Sequence, residues 1–509
     1  MSSKIIPTHI YRTFFLGLTA GGICGILSYG YYHPDEHFQI LEYASSRLTD
    51  SSYEQSLPWE YLKEMRSGLL PLIVYLCGSI MKFIGIYNPF ILSMLMRMIA
   101  VMLSGVSVIV LYHAIRGKIS SHRWERMYIW IAFFFWILAY QNARFSAENI
   151  SGSMIVICSS CYMIWSRKEK MKLWHMMALG AMAGIAFVIR YQMCIALLAI
   201  LLYVVIIDRR YKESIITSSA AIMVIALCFL PDVWLYGHWT FTPYNYFYEN
   251  IVEGYAKYFG EYGIIRYIYE ILREGMFIFS GIILFTWGYY IWKNPRDIIT
   301  WITVSYVVVH FFISHKEPRF LFPMLGFSPY FIVYTMKNIY KDYSYFTSRH
   351  RTVIKFVISI NCIALLYITL KGDTTVSYYH TIYDICRNSP TDVCLINTAN
   401  GSFAYHYHED ILYPREVDCH FYLPPNAHRI HAKDHIEGTQ IAKKEREKGK
   451  TVLILSDKPN LSVNLPFNRV HFIPYPLWLV EHFNINNWVS RSSGMNEYIY
   501  EIKKDIIHE

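Results

Sequence analysis

Apolar residues along this chain gather into long runs separated by short polar segments: 13–32, 90–113, 127–141, 150–166, 174–189, 193–207, 214–230, 274–292, 298–313, 320–336 and 354–370. A hydrocarbon core roughly 30 Å thick takes about 20 residues of α-helix, and the shorter runs approach that length. The pattern predicts an α-helical polytopic membrane protein with about 11 transmembrane helices. Past residue 370 the regime changes. Short runs such as Val452-Leu453-Ile454-Leu455 and Val470-His471-Phe472-Ile473 read as strands, and the Lys/Glu-rich stretch 434–448 reads as a helix. We therefore expect a transmembrane domain at 1–370 and a small C-terminal α/β domain at 371–509.

Charge decides which runs cross. Residues 69–87 form one further apolar run, and crossing there would send the Arg116–Arg126 loop to the opposite side from Lys4 and Arg12. Taken as an interfacial or re-entrant helix, the run leaves six basic segments on one face. These are Lys4/Arg12, Arg116–Arg126, Arg167–Lys170, Arg209–Lys212, Lys293–Arg296 and Lys337–Arg351, as cytosolic loops should be. Lys82 inside the run also suits an interface better than the bilayer centre. The first run lacks a small-residue cleavage site and reads as a signal anchor.

Other loops then collect on the outer face. Residues 33–68 carry seven acids (Asp35, Glu36, Glu42, Asp50, Glu54, Glu60, Glu64) against three bases. With them lie Asn142–Glu148, Arg190–Gln192, the long loop 231–273, His315–Arg319 and residues 371–509.

Composition agrees. Hydrophobic residues make up 54% and charged residues 17%, where soluble proteins run at roughly 25% charged. The 44 Tyr suit aromatic belts at many membrane crossings. A net charge of +9 could mean a nucleic-acid partner, but its short clusters between apolar runs argue against one. Six of ten cysteines lie in apolar runs, and the Cys158/Cys161 pair has no second pair to complete a zinc site. Cys386, Cys394 and Cys419 leave room for one disulfide. Sequons at Asn149, Asn400 and Asn460 fall on or near the outer face.

Two constellations carry chemistry. His33-Pro34-Asp35-Glu36-His37-Phe38-Gln39 opens the first outer loop. Adjacent carboxylates at an apolar boundary suit general-base work, or they cap a helix N-terminus. His315-Lys316-Glu317-Pro318-Arg319 puts four ionisable residues between two apolar runs. Such charges are costly unless paired or used, so they bind a phosphate or form a hairpin with snorkelling side chains. Arg144/Glu148 and Arg190 are weaker candidates of the same kind. Asp232, His238 and Tyr244–Tyr248 offer either an aromatic sugar platform or an interfacial belt. No Walker A loop or G-x-S-x-G elbow competes.

At these residues the sequence resembles glycosyltransferase family 22, the GT-C mannosyltransferases. That family includes the GPI mannosyltransferases and the α-1,2 and α-1,6 mannosyltransferases of N-glycan precursor assembly. HPDEHFQ and His315–Pro323 carry the likeness. Pro58-Trp59-Glu60 with Met65-Arg66-Ser67 is much as in members adding the third GPI mannose. Asn142–Asn149 and Asp232–Asn245 resemble two further family segments, the second bringing in Trp239 and Asn245.

The resemblance covers roughly 10–340 and implies transfer of mannose from dolichyl phosphate mannose, a polyprenyl phosphate donor, to a lipid-linked glycan acceptor. It implies Asp35 as general base with Glu36 in support. Lys316, Arg319 and Arg190 would neutralise the leaving phosphate, while His315, Glu317, Arg144, Glu148, Asp232, Trp239 and Asn245 complete the substrate-binding set. No metal or other cofactor is expected. The implied location is the endoplasmic reticulum membrane, with the site lumenal, or an inner membrane for a bacterial homologue. Alternatives are an N-glycan-precursor mannosyltransferase, a bacterial GT-C enzyme and, from another class, a polytopic lipid or sugar transporter.

Overall fold

The computed structural model describes residues 8–28, 30–49, 57–168, 170–340, 348–371, 374–398, 405–406, 416–417, 420–456, 467–472 and 498–502. Each apolar run of the sequence folds as helix. In order these are Thr8–Leu27, Pro89–Ile119, His122–Phe134 with Trp136–Asn142, Ala147–Trp165, Leu173–Ile189, Met193–Ile207, Tyr211–Leu227, Ile278–Lys293, Ile298–Phe312, Pro318–Phe327 with Ser328–Ile339, and Ser348–Lys371. Among the described residues, four segments are long and apolar enough to cross a membrane: Ile10–Leu27, Pro89–Ile119, Tyr211–Tyr236 and Arg351–Leu370. The chain is a multi-pass membrane protein.

Several boundaries move, each for a local reason. The first helix stops at Leu27 rather than 32, ahead of Gly30 at φ 90°, a backbone conformation that favours glycine. The run 274–292 folds as the helix Ile278–Lys293, set off from a preceding helix, Ile264–Glu274, at Met276 and Phe277, both with positive φ. The run 320–336 begins as a 3-10 helix over Pro318–Phe327, where Pro318 and Pro323 lack the N–H groups that an α-helix uses. Residues 69–87 form the apolar helix Leu69–Phe83.

The run 127–141 breaks at Phe135, whose ψ of 116° is extended. Asn361, from the helix Ser348–Lys371, bridges the break. Its Oδ1 accepts the Trp136 amide at 3.0 Å and its Nδ2 donates to the Phe134 carbonyl at 2.7 Å. Two of the backbone groups that the break would orphan are thereby satisfied.

The chain divides into two compact units, Met1–Ser28 with Lys63–Leu76 and Ser93–Leu370, and Tyr29–Leu62 with Cys77–Leu92 and Lys371–Glu509. The core of the first is a continuous apolar cluster that includes Leu111, Tyr128, Ile155, Met193, Ile302 and Tyr330. Glycines set its tightest approaches. A Cβ on Gly152 would lie 2.6 Å from the Pro323 Cα and 2.8 Å from its carbonyl oxygen, so only glycine lets Pro318–Phe327 lie against Ala147–Trp165.

The second unit holds a five-stranded sheet in the order Ala427–His431, Val393–Asn397, Thr451–Ser456, Tyr498–Ile502, Phe467–Phe472. The first three strands run parallel, and Tyr498–Ile502 pairs antiparallel with both its neighbours. Val393–Asn397 and Thr451–Ser456 are buried throughout, which explains their unbroken apolar sequence. The helix His435–Glu447 starts at Asp434, whose carboxylate accepts the Ile436 and Glu437 amides at 2.8 Å each. Cys386 and Cys394 are buried free thiols, so no disulfide joins these two. Cys419, Asn400 and Asn460 lie outside the described residues.

Candidate active site

In the second unit, Asp35 and Glu36 end the short helix Pro34–Glu36, which continues through a π-helical turn His37–Leu41 into Glu42–Leu48. Pro34 suits a first helical position, where its missing N–H costs nothing. His33 caps the helix by accepting the Asp35 amide on Nδ1 at 3.2 Å, and the Glu36 carboxylate accepts the Tyr32 amide at 3.2 Å. The Asp35 carboxylate lies 3.3 Å from His33 Nδ1 and keeps 26% of its side chain open to solvent. Capping of the helix thus falls to His33, while Glu36 holds the chain just before it.

The π turn has its own consequence, because it brings residues five apart into register. His37 Nε2 meets Glu42 Oε1 at 2.6 Å, with both side chains buried. The Glu42 carboxylate also accepts the backbone amides of His420 and Phe421 at 3.1 Å, and the His37 ring stacks on Tyr422 at 5.4 Å. The first outer loop is therefore clasped to residues 420–422. In sequence Glu42 is one acid among seven. The five-residue spacing to His37 is its only signal, and only a π turn turns that spacing into a contact.

The first unit holds a buried ionic string. Ser146 caps the helix Ala147–Trp165 by accepting the Asn149 amide at 3.2 Å, so Glu148 stands in the first turn, where the helix dipole favours an acid. Arg190 follows directly on Leu173–Ile189, in extended conformation. Arg319 sits at the start of the Pro318–Phe327 turn that Gly152 admits. Arg190 Nη1 donates to Glu148 Oε1 at 2.8 Å, and Arg319 Nη1 donates to the same oxygen at 3.2 Å. Arg319 Nε donates to Glu317 Oε2, while Glu317 Oε1 pairs with His315 Nε2 at 2.8 Å.

Both guanidinium groups also lie over the Phe320 ring, at 5.5 and 5.3 Å. Lys316, 8% exposed, donates to the Ser314 carbonyl at a long 3.5 Å. Burial pulls the His315 pKa down, but the hydrogen bond and charge of Glu317 outweigh it and leave the pKa raised. Among the described residues the string sets Arg190 and Arg319 against Glu148 and Glu317, and Lys316 is a further buried cation next in sequence to His315 and Glu317, in a low-dielectric setting.

The other sequence candidates brace the unit elsewhere. Asp232 accepts from the Gly68 amide at 2.7 Å, the Thr242 hydroxyl at 2.7 Å and the Ser67 hydroxyl at 3.2 Å. Gly68 is required there, since a Cβ would lie 2.3 Å from the Pro231 carbonyl oxygen. Asn245 Nδ2 donates to the Glu64 carbonyl at 3.2 Å and the Thr240 hydroxyl at 3.1 Å. His238 pairs with Glu64 at 2.9 Å, and Trp239 is exposed. Asp232 and Asn245 thus tie the loop after residue 231 to the turn at 64–68. Arg144 donates to the carbonyl and hydroxyl of Ser28 and lies over Tyr140 at 4.4 Å. Sequence reasoning passed over His310, which is buried on Tyr306 with its Nδ1 2.8 Å from that residue's carbonyl oxygen. Among the described residues no three His, Cys, Asp or Glu side chains gather as a metal site.

Comparison with known proteins bears on this arrangement. The chain is 22% identical over 368 residues to human GPI alpha-1,2-mannosyltransferase 3 (Homo sapiens), covering 70% of this chain and 62% of that one. It is 23% identical to mannosyltransferase APTG1 of Arabidopsis thaliana over 342 residues, or 64% and 59% of the two chains. The chain thus spans roughly three-fifths of the length of these curated relatives. In structure it is similar to ArnT from Cupriavidus metallidurans bound to undecaprenyl phosphate, with a TM-score of 0.58 and 10% identity over 97% of this chain and 98% of that one. That likeness is one of fold, the GT-C type. The Alg9-like mannosyltransferase family model matches residues 13–397, which take in HPDEHFQ, Glu148, Arg190 and His315–Arg319 alike. With about three quarters of its length so matched, the chain belongs to the Alg9-like mannosyltransferase family.

Proposed function

We propose that this chain is an inverting mannosyltransferase. It takes mannose from dolichyl phosphate mannose, a lipid-linked donor, and passes it to a lipid-linked glycan, a GPI precursor, as an α-mannoside. The observation that carries the reading is the buried pairing of two arginines, Arg190 and Arg319, on Glu148, with a third buried cation, Lys316, in the same His315–Arg319 segment. A phosphate suits such a string, by the planar forks of arginine and the point charge of lysine. Its relatives' mannosyltransferase names and the undecaprenyl phosphate of the ArnT structure support the same donor class.

In the proposed reaction the acceptor hydroxyl attacks the anomeric carbon and loses its proton to the Asp35 carboxylate. The new carbon–oxygen bond forms as the bond to the donor phosphate breaks, and dolichyl phosphate leaves with the electron pair. The β-linked donor thereby gives an α-mannoside. Arg190, Arg319 and Lys316 stabilise the charge that develops on the phosphate, with His315, Glu317 and Glu148 fixing them. Glu36 supports Asp35. Asp232, Trp239, Asn245 and Arg144 shape the substrate-binding region, and no metal is required. We further propose about 11 membrane crossings, residence in the endoplasmic reticulum membrane, a lumenal active site and a lumenal α/β domain at 371–509.

Microsomal transfer from radiolabelled dolichyl phosphate mannose tests the reading. Asp35→Asn should lower incorporation about 10²–10⁴-fold. Equal incorporation by wild type and variant would remove Asp35 as base, and no mannose transfer to any lipid glycan would remove the function.

A further inference from the structure

In the first unit, the helices Ala147–Trp165, Leu173–Ile189, Met193–Ile207 and Tyr211–Leu227 enclose a cavity of about 300 Å³ that runs along them to the turns at 166–172 and 208–213, where basic residues cluster. That is the lower end of the roughly 300–1,000 Å³ typical of small-molecule sites. Its wall is almost wholly apolar. Phe187, Cys194, Leu197, Ala221 and Ile225 line it toward one end of the helices, and Tyr162, Met171, Glu213 and Ser214 toward the other, polar end. Leu198 and Ile222 line it and are also 54% and 67% exposed, so the cavity opens sideways onto the surface that faces lipid.

The turns beside the polar end are bound to one another. Arg210 Nη2 donates to the carbonyls of Ser166 and Lys168 at 2.7 and 3.2 Å, and the Tyr162 hydroxyl meets Asp208. In sequence, 166–172 and 208–213 hold seven cations (Arg167, Lys168, Lys170, Lys172, Arg209, Arg210, Lys212) and three carboxylates (Glu169, Asp208, Glu213). Arg210 is partly taken by Glu213, at 3.8 Å, whereas Lys168, Lys170 and Lys172 are exposed.

We infer that this cavity binds one acyl chain of an anionic glycerophospholipid, with the phosphate headgroup held by the lysines at 168–172. The site is separate from the ionic string and does not depend on the proposed reaction. An apolar slot open to the bilayer will take a hydrocarbon chain, because filling it removes voids that cost packing energy. The lysine-rich rim selects the headgroup, since each basic residue at an anionic lipid surface strengthens binding about fivefold. A neutral phosphatidylcholine would gain only the first of these.

The test is native mass spectrometry of the full detergent-solubilised chain after incubation with phosphatidylserine, phosphatidylcholine or dolichyl phosphate. We expect one phosphatidylserine to be retained at least tenfold over phosphatidylcholine. The triple variant Lys168→Gln/Lys170→Gln/Lys172→Gln should abolish that preference, and Ala221→Trp should abolish retention by filling the cavity. Equal retention of the two phospholipids, a preference untouched by the lysine variant, or dolichyl phosphate retained in place of phosphatidylserine would each overturn the inference. The lysine variant changes only exposed side chains, so the test stands even if Ala221→Trp fails to fold.

Discussion

Arg190 Nη1 and Glu148 Oε1 meet at 2.8 Å across 42 residues of sequence, with both side chains buried. The same oxygen receives Arg319. Removing one partner of such a group leaves an uncompensated buried charge, which typically costs about 3–5 kcal/mol. Glu148→Ala should therefore lower the thermal midpoint of the purified protein markedly, and Glu148→Gln, which keeps an acceptor, should lower it less. Equal midpoints for wild type and Glu148→Ala would show that the string carries no structural weight.

The glycine at 152 makes a prediction against helix propensity. In an exposed helix Gly→Ala stabilises by about 1 kcal/mol. Here the added Cβ would meet backbone atoms of Pro323 at 2.6 and 2.8 Å, which cannot swing aside as a side chain would. Gly152→Ala should lower the melting temperature. It should also raise KM for the donor more than Gly281→Ala, a helix position whose Cβ meets nothing within 4 Å.

His315 makes stability depend on pH with a definite sign. Its pKa in the folded chain lies above the ordinary 6.5 because Glu317 favours the protonated ring despite burial. Its stabilising contribution is therefore complete below about pH 6.5 and is lost as pH rises through the raised value. Melting curves at steps between pH 6 and 9 should show a decline above 6.5 that His315→Gln flattens. An unchanged profile in the variant would assign the decline to another group.

Asp232 serves three donors, among them the Gly68 amide. Asp232→Ala should destabilise by about 1–3 kcal/mol per donor left buried without a partner. Asp232→Asn should retain part of that loss, measured as thermal shift. If the variant kept full stability yet lost transfer, Asp232 would act on substrate rather than as a brace.

The clasp of Glu42 on His420 and Phe421 is open to hydrogen exchange. Glu42→Gln should keep the fold and speed exchange of the Phe421 amide, while distant amides such as Ile454 keep their protection. Uniform acceleration would mean general loosening instead.

Helix positions were legible in the sequence because a membrane helix announces itself through its apolar length alone. The basic clusters were equally plain. Less legible was anything that depends on a change of helix type. The 3-10 turn at 318–327 was readable from Pro318 and Pro323 only in hindsight of their spacing, and the π turn at 37–41 left no compositional trace. Ionic partners such as Glu148 and Arg319 lie 171 residues apart, and nothing local to either selects the other. Asp232 and Asn245 look in sequence like polar groups awaiting a ligand, yet the described bonds spend them on the turn at 64–68. Two strands beyond residue 390, Thr451–Ser456 and Phe467–Phe472, were visible as short apolar runs, while Ala427–His431 and the order of the sheet were not, because a parallel sheet is set by long crossovers rather than by neighbouring turns.

The bridge from Asn361 to the break at Phe135 ties two moments of synthesis together. Ribosomes make residues 122–142 long before residue 361, so the Phe134 carbonyl and Trp136 amide are made with this partner still unmade. Until the Ser348–Lys371 helix arrives, the break at Phe135 lacks the amide that bridges it. A chain stopped short of residue 361 has no Asn361 to close it.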